Sequence, residues 1–255
     1  GNWTDSNDRA LLTIEDSSVV QEVFLLDLKQ GALKPIGRTS NVPKDRLHKM
    51  VSKKFTTRDG ESIYGYLTMP KGKVERLIVY IHGGPYGIRD YDSYDFSEQY
   101  LASKGAAILK VNYRGSGGYG TDFMEDAFQE WGGRLLNDIA DATKAVQKEL
   151  SIGREQTCAF GASYGGYAAL AMAYKHSELY ECVAGGMGVY DMLILRDGTD
   201  DSIYTTQDNY EEIAKKHWGD NREVLIDFSP VFNADKMKSR ILMWHGLQDP
   251  ISPIV

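Results

Sequence analysis

The sequence predicts an α/β fold, a mostly parallel sheet with helices on both faces preceded by a short β-meander, and three observations lead there. From about residue 51 onward, short apolar runs such as 78–81 and 106–109 alternate with stretches of helical periodicity, the pattern of a parallel sheet buried on both faces. The first 40 or so residues carry strand-like runs separated by turn residues and no helical period. The composition, 42% hydrophobic and 25% charged over 255 residues, is that of a globular chain long enough for one large domain with a piece of another.

Taken in order, residues 9–14, 23–28 and 33–36 read as strands, with Asp16-Ser17-Ser18 and Gln30-Gly31 as the turns between them. Such a meander cannot bury both of its faces alone, so it reads as the closing part of a larger all-β unit, such as one propeller blade. The polar stretch 39–46 serves as a linker. The boundary then falls between residues 1–46, the end of an N-terminal β-propeller-like domain, and residues 47–255. Strands over 55–58 and 63–69 pair around Asp59-Gly60, a hairpin signal. A strand over 76–81, a helix ending at Gly105 and a strand over 106–111 follow. Leu135, Ile139, Ala142, Val146 and Leu150 recur at spacings of three and four and predict an amphipathic helix over about 127–150. Strand 157–160, helix 164–176, strand 182–186 and a final strand 240–244 complete the series. Ligands of such sheets gather where the strands end, so the chemistry belongs in the loops after them.

Charge and apolar length exclude several function classes. The net charge of −7, from 29 basic against 36 acidic residues, leaves no basic footprint for nucleic acid. The apolar runs fall far short of the roughly 18 to 20 residues that a bilayer helix requires, so no membrane segment is expected. Cys158 and Cys182 lie in apolar stretches without metal-ligand spacing and read as two buried thiols. That suits a reducing, cytoplasmic setting, or a periplasmic or secreted one if a leader was removed. His48, His176 and His217 share no ligand spacing and read as surface or capping groups. The clusters Asp90, Asp92, Asp95 and Asp197, Asp200, Asp201 read as solvated loop faces. No cofactor and no metal are expected.

The strongest motif is Gly161-Ala162-Ser163-Tyr164-Gly165, set between an apolar strand and an alanine-rich helix. That context is what a nucleophile elbow requires, because the flanking glycines let strand and helix approach while the serine takes a strained backbone. His82-Gly83-Gly84-Pro85 follows a strand and looks like the oxyanion loop of α/β-hydrolases, although alone it is equally a tight turn with a structural histidine. Asp249, just past the last strand, stands where the acid of a Ser…Asp…His order belongs; the bland reading is a turn carboxylate before Pro250. Gly115-Ser116-Gly117-Gly118-Tyr119-Gly120 formally matches a dinucleotide loop. It fails on context, since Tyr119, Phe123 and Met124 crowd the place of a phosphate-facing helix and Asp138 lies within a helix.

Together with Asn112-Tyr-Arg-Gly-Ser-Gly-Gly-Tyr119, Trp131-Gly-Gly133, Gly161-Ala-Ser-Tyr-Gly-Gly-Tyr167 and His245-Gly-Leu-Gln-Asp249, the oxyanion-loop motif completes an ordered set. The set resembles the prolyl oligopeptidase family of serine peptidases over about residues 51–255, most of all its acylaminoacyl-peptidase and dipeptidyl-peptidase branches. The resemblance implies an α/β-hydrolase with Ser163 as nucleophile, Asp249 as acid and the amides of Gly84 and Tyr164 as oxyanion donors. It also implies an acyl-side specificity pocket walled by Tyr164, Val189, Met192 and Leu195, hence a hydrophobic preference. The implied activity is hydrolysis of short peptides by a serine-type oligopeptidase or exopeptidase. An esterase or other acyl hydrolase on the same fold, and a catalytically inactive binding domain, remain as alternatives, and homo-oligomerisation is left open. Ile251 departs from the family, whose members often carry arginine or asparagine there. No histidine occurs among residues 250–255, where the order of the triad calls for one to follow Asp249, so the expectation is a truncated chain that lacks its catalytic base.

Overall fold

A computed structural model describes residues 2, 3, 8–198 and 209–252. Strands β1 (Asn2–Trp3), β2 (Arg9–Asp16), β3 (Val19–Asp27) and β4 (Ala32–Arg38) form a four-stranded antiparallel sheet in sequence order. The β2–β3 turn is tightened by Asp16, whose Oδ1 accepts from both the amide and the hydroxyl of Ser18 at 2.7 Å, an Asx-type turn. Leu33 and Ile36 of this sheet, and Leu28 in the turn after β3, stand about half exposed. The stretch 39–46 has no strand and only a 3-10 turn at Lys44–Arg46.

The second sheet has seven strands. β5 (Met50–Thr56) and β6 (Ser62–Thr68) form a hairpin whose Asp59 and Gly60 lie in the turn. Next come β7 (Arg76–Ile81), α1 (Phe96–Ser103), β8 (Ala106–Asn112), α2 (Thr121–Glu125), α3 (Arg134–Leu150), β9 (Thr157–Ala162), α4 (Tyr164–Lys175) and β10 (Cys182–Gly186). After them follow α5 (Met192–Asp197), α6 (Tyr210–Trp218), α7 (Arg222–Phe228), a 3-10 segment Pro230–Lys236 and β11 (Arg240–Trp244). The strand order is β11-β10-β9-β7-β8-β6-β5. β8, β7, β9, β10 and β11 are mutually parallel, and the β5–β6 hairpin is added antiparallel to β8. This is the mostly parallel sheet that the sequence predicts.

Every residue of β8 is buried, as befits an inner strand covered on both faces. On β7 the alternate residues Leu77, Val79 and Ile81 point into the main core with Ala159, Leu135, Ile139, Val146 and the small face of α4. On the other face α1 packs on β8, with Ala102 against Ala106 and Ile108. Burying apolar surface in this way contributes about 25 cal/mol per Å².

Three expectations need correction. The helix expected from about residue 127 begins only at Arg134. Trp131-Gly132-Gly133 precedes it, and the Gln129 backbone turns left-handed at φ 60, so the apolar period does not extend upstream. The two cysteines are joined in a disulfide. They are direct partners on the adjacent strands β9 and β10, with Cα atoms 4.6 Å apart, which is within bridging range; their pairing removes the argument for a reducing setting. His48 is buried rather than on the surface, whereas His176, also buried, is the C-cap of α4 as a capping role allows; Asp90 is half-buried, its Oδ2 shielded from solvent, rather than on a solvated loop face. Asp200 and Asp201 lie outside the described residues.

Candidate active site

Ser163 is the residue between β9 and α4, with φ 57 and ψ −127, the strained left-handed turn of a nucleophile elbow. Its N–H donates to the Gly186 carbonyl at 2.9 Å and its carbonyl accepts from Tyr167 at 3.0 Å. Its side chain is exposed. The turn can form only because α4 lies directly on the sheet. A β-carbon at Gly165 would collide with the Ile81 carbonyl, and one at Gly166 with the Gly186 carbonyl. Tyr164 opens α4, so its amide has no partner within the helix and is available to an anion at this end.

The turn after β7 lies against the serine. A β-carbon on Gly83 would sit 3.5 Å from Ser163 Cβ and 3.9 Å from its Oγ. Gly84 follows, exposed, at φ 116 and joined to Pro85 by a cis peptide bond. Two further motifs meet behind this point: Tyr164 donates its hydroxyl to the Trp131 carbonyl at 3.0 Å, and the Trp131 indole donates to the Tyr86 hydroxyl at 2.9 Å.

Asp249 lies in the loop after β11. Its Oδ1 accepts from the amides of Ile251 and Ser252, both at 2.9 Å, and its Oδ2 is 3.5 Å from His245 Nε2. His245 Nε2 donates to the Ser252 carbonyl at 2.6 Å, so this imidazole belongs to the scaffold of the acid loop. The other histidines are engaged elsewhere. His82 contacts the Gly83 carbonyl and Ser116, His48 the Met69 carbonyl, and His176 Asn137, while His217 stacks on Phe128. Burial lowers the His82 and His176 pKa values to about 4 and also lowers that of His217.

A cavity of about 570 Å³ opens beside the Asp249 loop, walled by Leu170, Val189, Ile194, Leu195, Met243 and Ile251 among others. Of the residues assigned by resemblance to the acyl-side pocket, Val189 and Leu195 line it. Met192, 1% exposed, turns into the core from the first turn of α5, its amide donating to Ser229 Oγ at 2.8 Å. The Tyr164 ring, 2% exposed, packs against Trp131.

A buried ion-pair cluster escaped the sequence reading. Arg114 forms a two-pronged ion pair with Asp138, which is fully buried, at 2.9 and 2.6 Å, and reaches Asp59 at 2.6 Å. An aspartate on the inner face of a predicted helix was the only sign of it.

The model of the prolyl oligopeptidase family matches residues 92–255. The chain is 31% identical over 216 residues to a dipeptidyl aminopeptidase BIII of Pseudoxanthomonas mexicana, spanning 77% of this chain and 30% of that protein. A crystal structure of puromycin hydrolase superposes with a TM-score of 0.82 at 27% identity, over 99% of this chain and 40% of that one. The acylaminoacyl peptidase of Pyrococcus horikoshii gives 0.81 at 26% identity, over 97% and 40%. The chain thus spans about a third of the length of such relatives. The matched segment carries the elbow, the acid loop and most of the parallel sheet, and with it the chain belongs to the prolyl oligopeptidase family, on an α/β-hydrolase fold.

Proposed function

We propose that this chain is the hydrolase part of a serine peptidase that cleaves short peptides after an uncharged, hydrophobic residue by acyl transfer to Ser163. The observation that carries this reading is the exposed Ser163 at φ 57 with the Gly83–Gly84 turn against it. Ser163 Oγ attacks the scissile carbonyl carbon while its proton passes to an imidazole, and the amides of Gly84 and Tyr164 hold the resulting oxyanion. Collapse expels the amine, protonated by the imidazolium, and water then repeats the sequence on the acyl-enzyme. Asp249, held by two backbone amides, orients the imidazole. His245 lies beside Asp249 but spends its Nε2 proton on the Ser252 carbonyl, and the other four histidines are engaged away from Ser163, so the base is assigned to a residue outside these 255.

The apolar cavity bearing Val189 and Leu195 receives the acyl-side residue, while Met192 and Tyr164 belong to the core and not to its lining. Residues 1–46 are assigned to a β-propeller-like domain ahead of the hydrolase unit at 47–255, on the half-exposed Leu28, Leu33 and Ile36 that further strands would cover.

A fluorophosphonate should label the full-length protein at Ser163, and peptide p-nitroanilides ending in Phe or Leu should be cleaved faster than those ending in Lys or Glu. Hydrolysis of p-nitrophenyl esters with no activity on any amide would establish an esterase instead. His245→Ala should leave turnover within about tenfold of wild type, whereas loss of a true base costs about 10⁴-fold.

A further inference from the structure

We propose that His82 and Ser116 are positioning residues that hold the Gly83–Gly84 oxyanion turn in register with Ser163, the loop 113–117 serving as its template. The inference rests on the acyl-transfer reading above and deepens it.

The loop 113–117 overlaps the glycine-rich motif, and its Tyr113 and Ser116 side chains point toward the oxyanion turn while Arg114 turns away to Asp138. Ser116 and Tyr113 are both 0% exposed. Ser116 Oγ lies 3.0 Å from His82 Nε2, and His82 Nδ1 lies 2.8 Å from the Gly83 carbonyl. Tyr113 donates its hydroxyl to the His82 carbonyl at 2.8 Å, and its ring stacks on the imidazole with centroids 4.3 Å apart.

Only one tautomer satisfies these contacts. With the proton on Nδ1, the ring donates to Gly83 O and its Nε2 lone pair accepts from the Ser116 hydroxyl. The opposite tautomer would set the Nδ1 lone pair against the Gly83 oxygen at 2.8 Å. Burial keeps the imidazole neutral through the working range, its pKa lowered to about 4, so the arrangement does not change when the catalytic base titrates.

The Gly83 carbonyl belongs to the same peptide unit as the Gly84 amide. Fixing that oxygen therefore fixes the direction of the N–H across the same plane, the group assigned to the oxyanion. The backbone secures the far side of the turn to the same template. Gly87 donates to the Gly115 carbonyl and Gly117 to the Ile88 carbonyl, each at 2.9 Å. A β-carbon at Gly117 would collide with the Gly87 carbonyl, so glycine is required for this approach.

The test uses the full-length protein and reads kcat and KM on a peptide amide, the Ki of a peptidyl trifluoromethyl ketone, and the melting temperature. Ser116→Ala should lower kcat about tenfold with KM within about twofold, and weaken the ketone, which forms a tetrahedral adduct, by a similar factor. His82→Asn, which keeps a donor near the Nδ1 position, should retain more of kcat than His82→Leu. Should Ser116→Ala fail to fold, Tyr113→Phe removes a single oxygen and carries the same expectation. Unchanged kcat in Ser116→Ala and His82→Leu, or losses confined to KM or melting temperature, would overturn the proposal. Failure of the wild-type protein to react with a fluorophosphonate would overturn instead the reading on which it rests.

Discussion

At Ser163 the backbone occupies a region that a β-carbon disfavours, φ 57 with ψ −127. Holding a residue there costs about 1–3 kcal/mol, which the surroundings must supply. They do so through the hydrogen bond from the Ser163 amide to Gly186 and the bond from Tyr167 that anchors the first turn of α4. The cost is the consequence of presenting a hydroxyl outward at the joint of a strand and a helix. Ser163→Gly should therefore unfold at higher urea concentration than wild type, by about 1 kcal/mol, while losing fluorophosphonate labelling altogether. Equal or lower stability of the variant would show that the elbow stores no strain. Asp249 is held at the same scale: its Oδ1 takes both amide donors, which leaves Oδ2 for the imidazole under the proposed mechanism, and on that proposal Asp249→Asn should fold normally and turn over on the order of 10⁴-fold more slowly.

Between elements, two links tie the sheet to its surroundings. The Cys158–Cys182 bridge joins β9, which leads to Ser163, to its neighbour β10. Closing a loop of 24 residues restricts the unfolded chain by on the order of 3 kcal/mol. Protein unfolded without reductant should thus show no thiol reactive toward Ellman's reagent, and Cys158→Ala/Cys182→Ala should melt several degrees lower; two titratable thiols would refute the bridge. Arg114 clamps β8 to α3 through Asp138 and to the β5–β6 turn through Asp59. The Arg114 guanidinium lowers the Asp59 pKa to about 2. A depressed carboxylate stabilises the fold above its unfolded pKa, near 3.8, and that contribution fades as pH falls toward 2. Asp59→Asn should therefore flatten the acid limb of the melting curve between about pH 4 and pH 2 and shift it little at the pH 2 end.

These links also show what the sequence could disclose. The strand runs and the strained turn at Ser163 are written in local patterns, apolar runs and a glycine-flanked serine, and the roles proposed for Asp249 and Gly84 rest on patterns of the same local kind. The disulfide depends on the register of two strands 24 residues apart, and the clamp on a side chain crossing from Arg114 to a helix. No local pattern reports either one. Met192 shows the same limit, because whether it faces the pocket or the core depends on the rotation of α5, a six-residue helix with too few positions to set a period.

Across the whole molecule the meander reaches the site's surroundings through a buried cluster of contacts at Ser17. Ser17, at the tip of the β2–β3 turn, is 2% exposed. Its amide donates to Asp92 Oδ1 at 2.9 Å, its hydroxyl accepts from the Met50 amide at 3.3 Å, and its carbonyl accepts from Gln99 Nε2 at 3.3 Å. Gln99 in turn bonds both the amide and the carbonyl of His48, at 2.7 and 2.9 Å. Asp92 belongs to the segment that runs from the oxyanion turn into α1. One turn of the N-terminal sheet is thereby fastened to the loop that carries Gly84. Removing the Asp92 carboxylate leaves the Ser17 amide buried without an acceptor, a loss of about 1–3 kcal/mol borne locally rather than by the core. Hydrogen exchange by mass spectrometry gives the test. In Asp92→Ala, amides of residues 16–19 and 88–95 should exchange at least tenfold faster than in wild type, with peptides from β9 and α4 unchanged. Uniform acceleration across the chain would mean that the contact supports the fold as a whole, and no change at 88–95 would mean that the meander and the oxyanion loop are not mechanically joined.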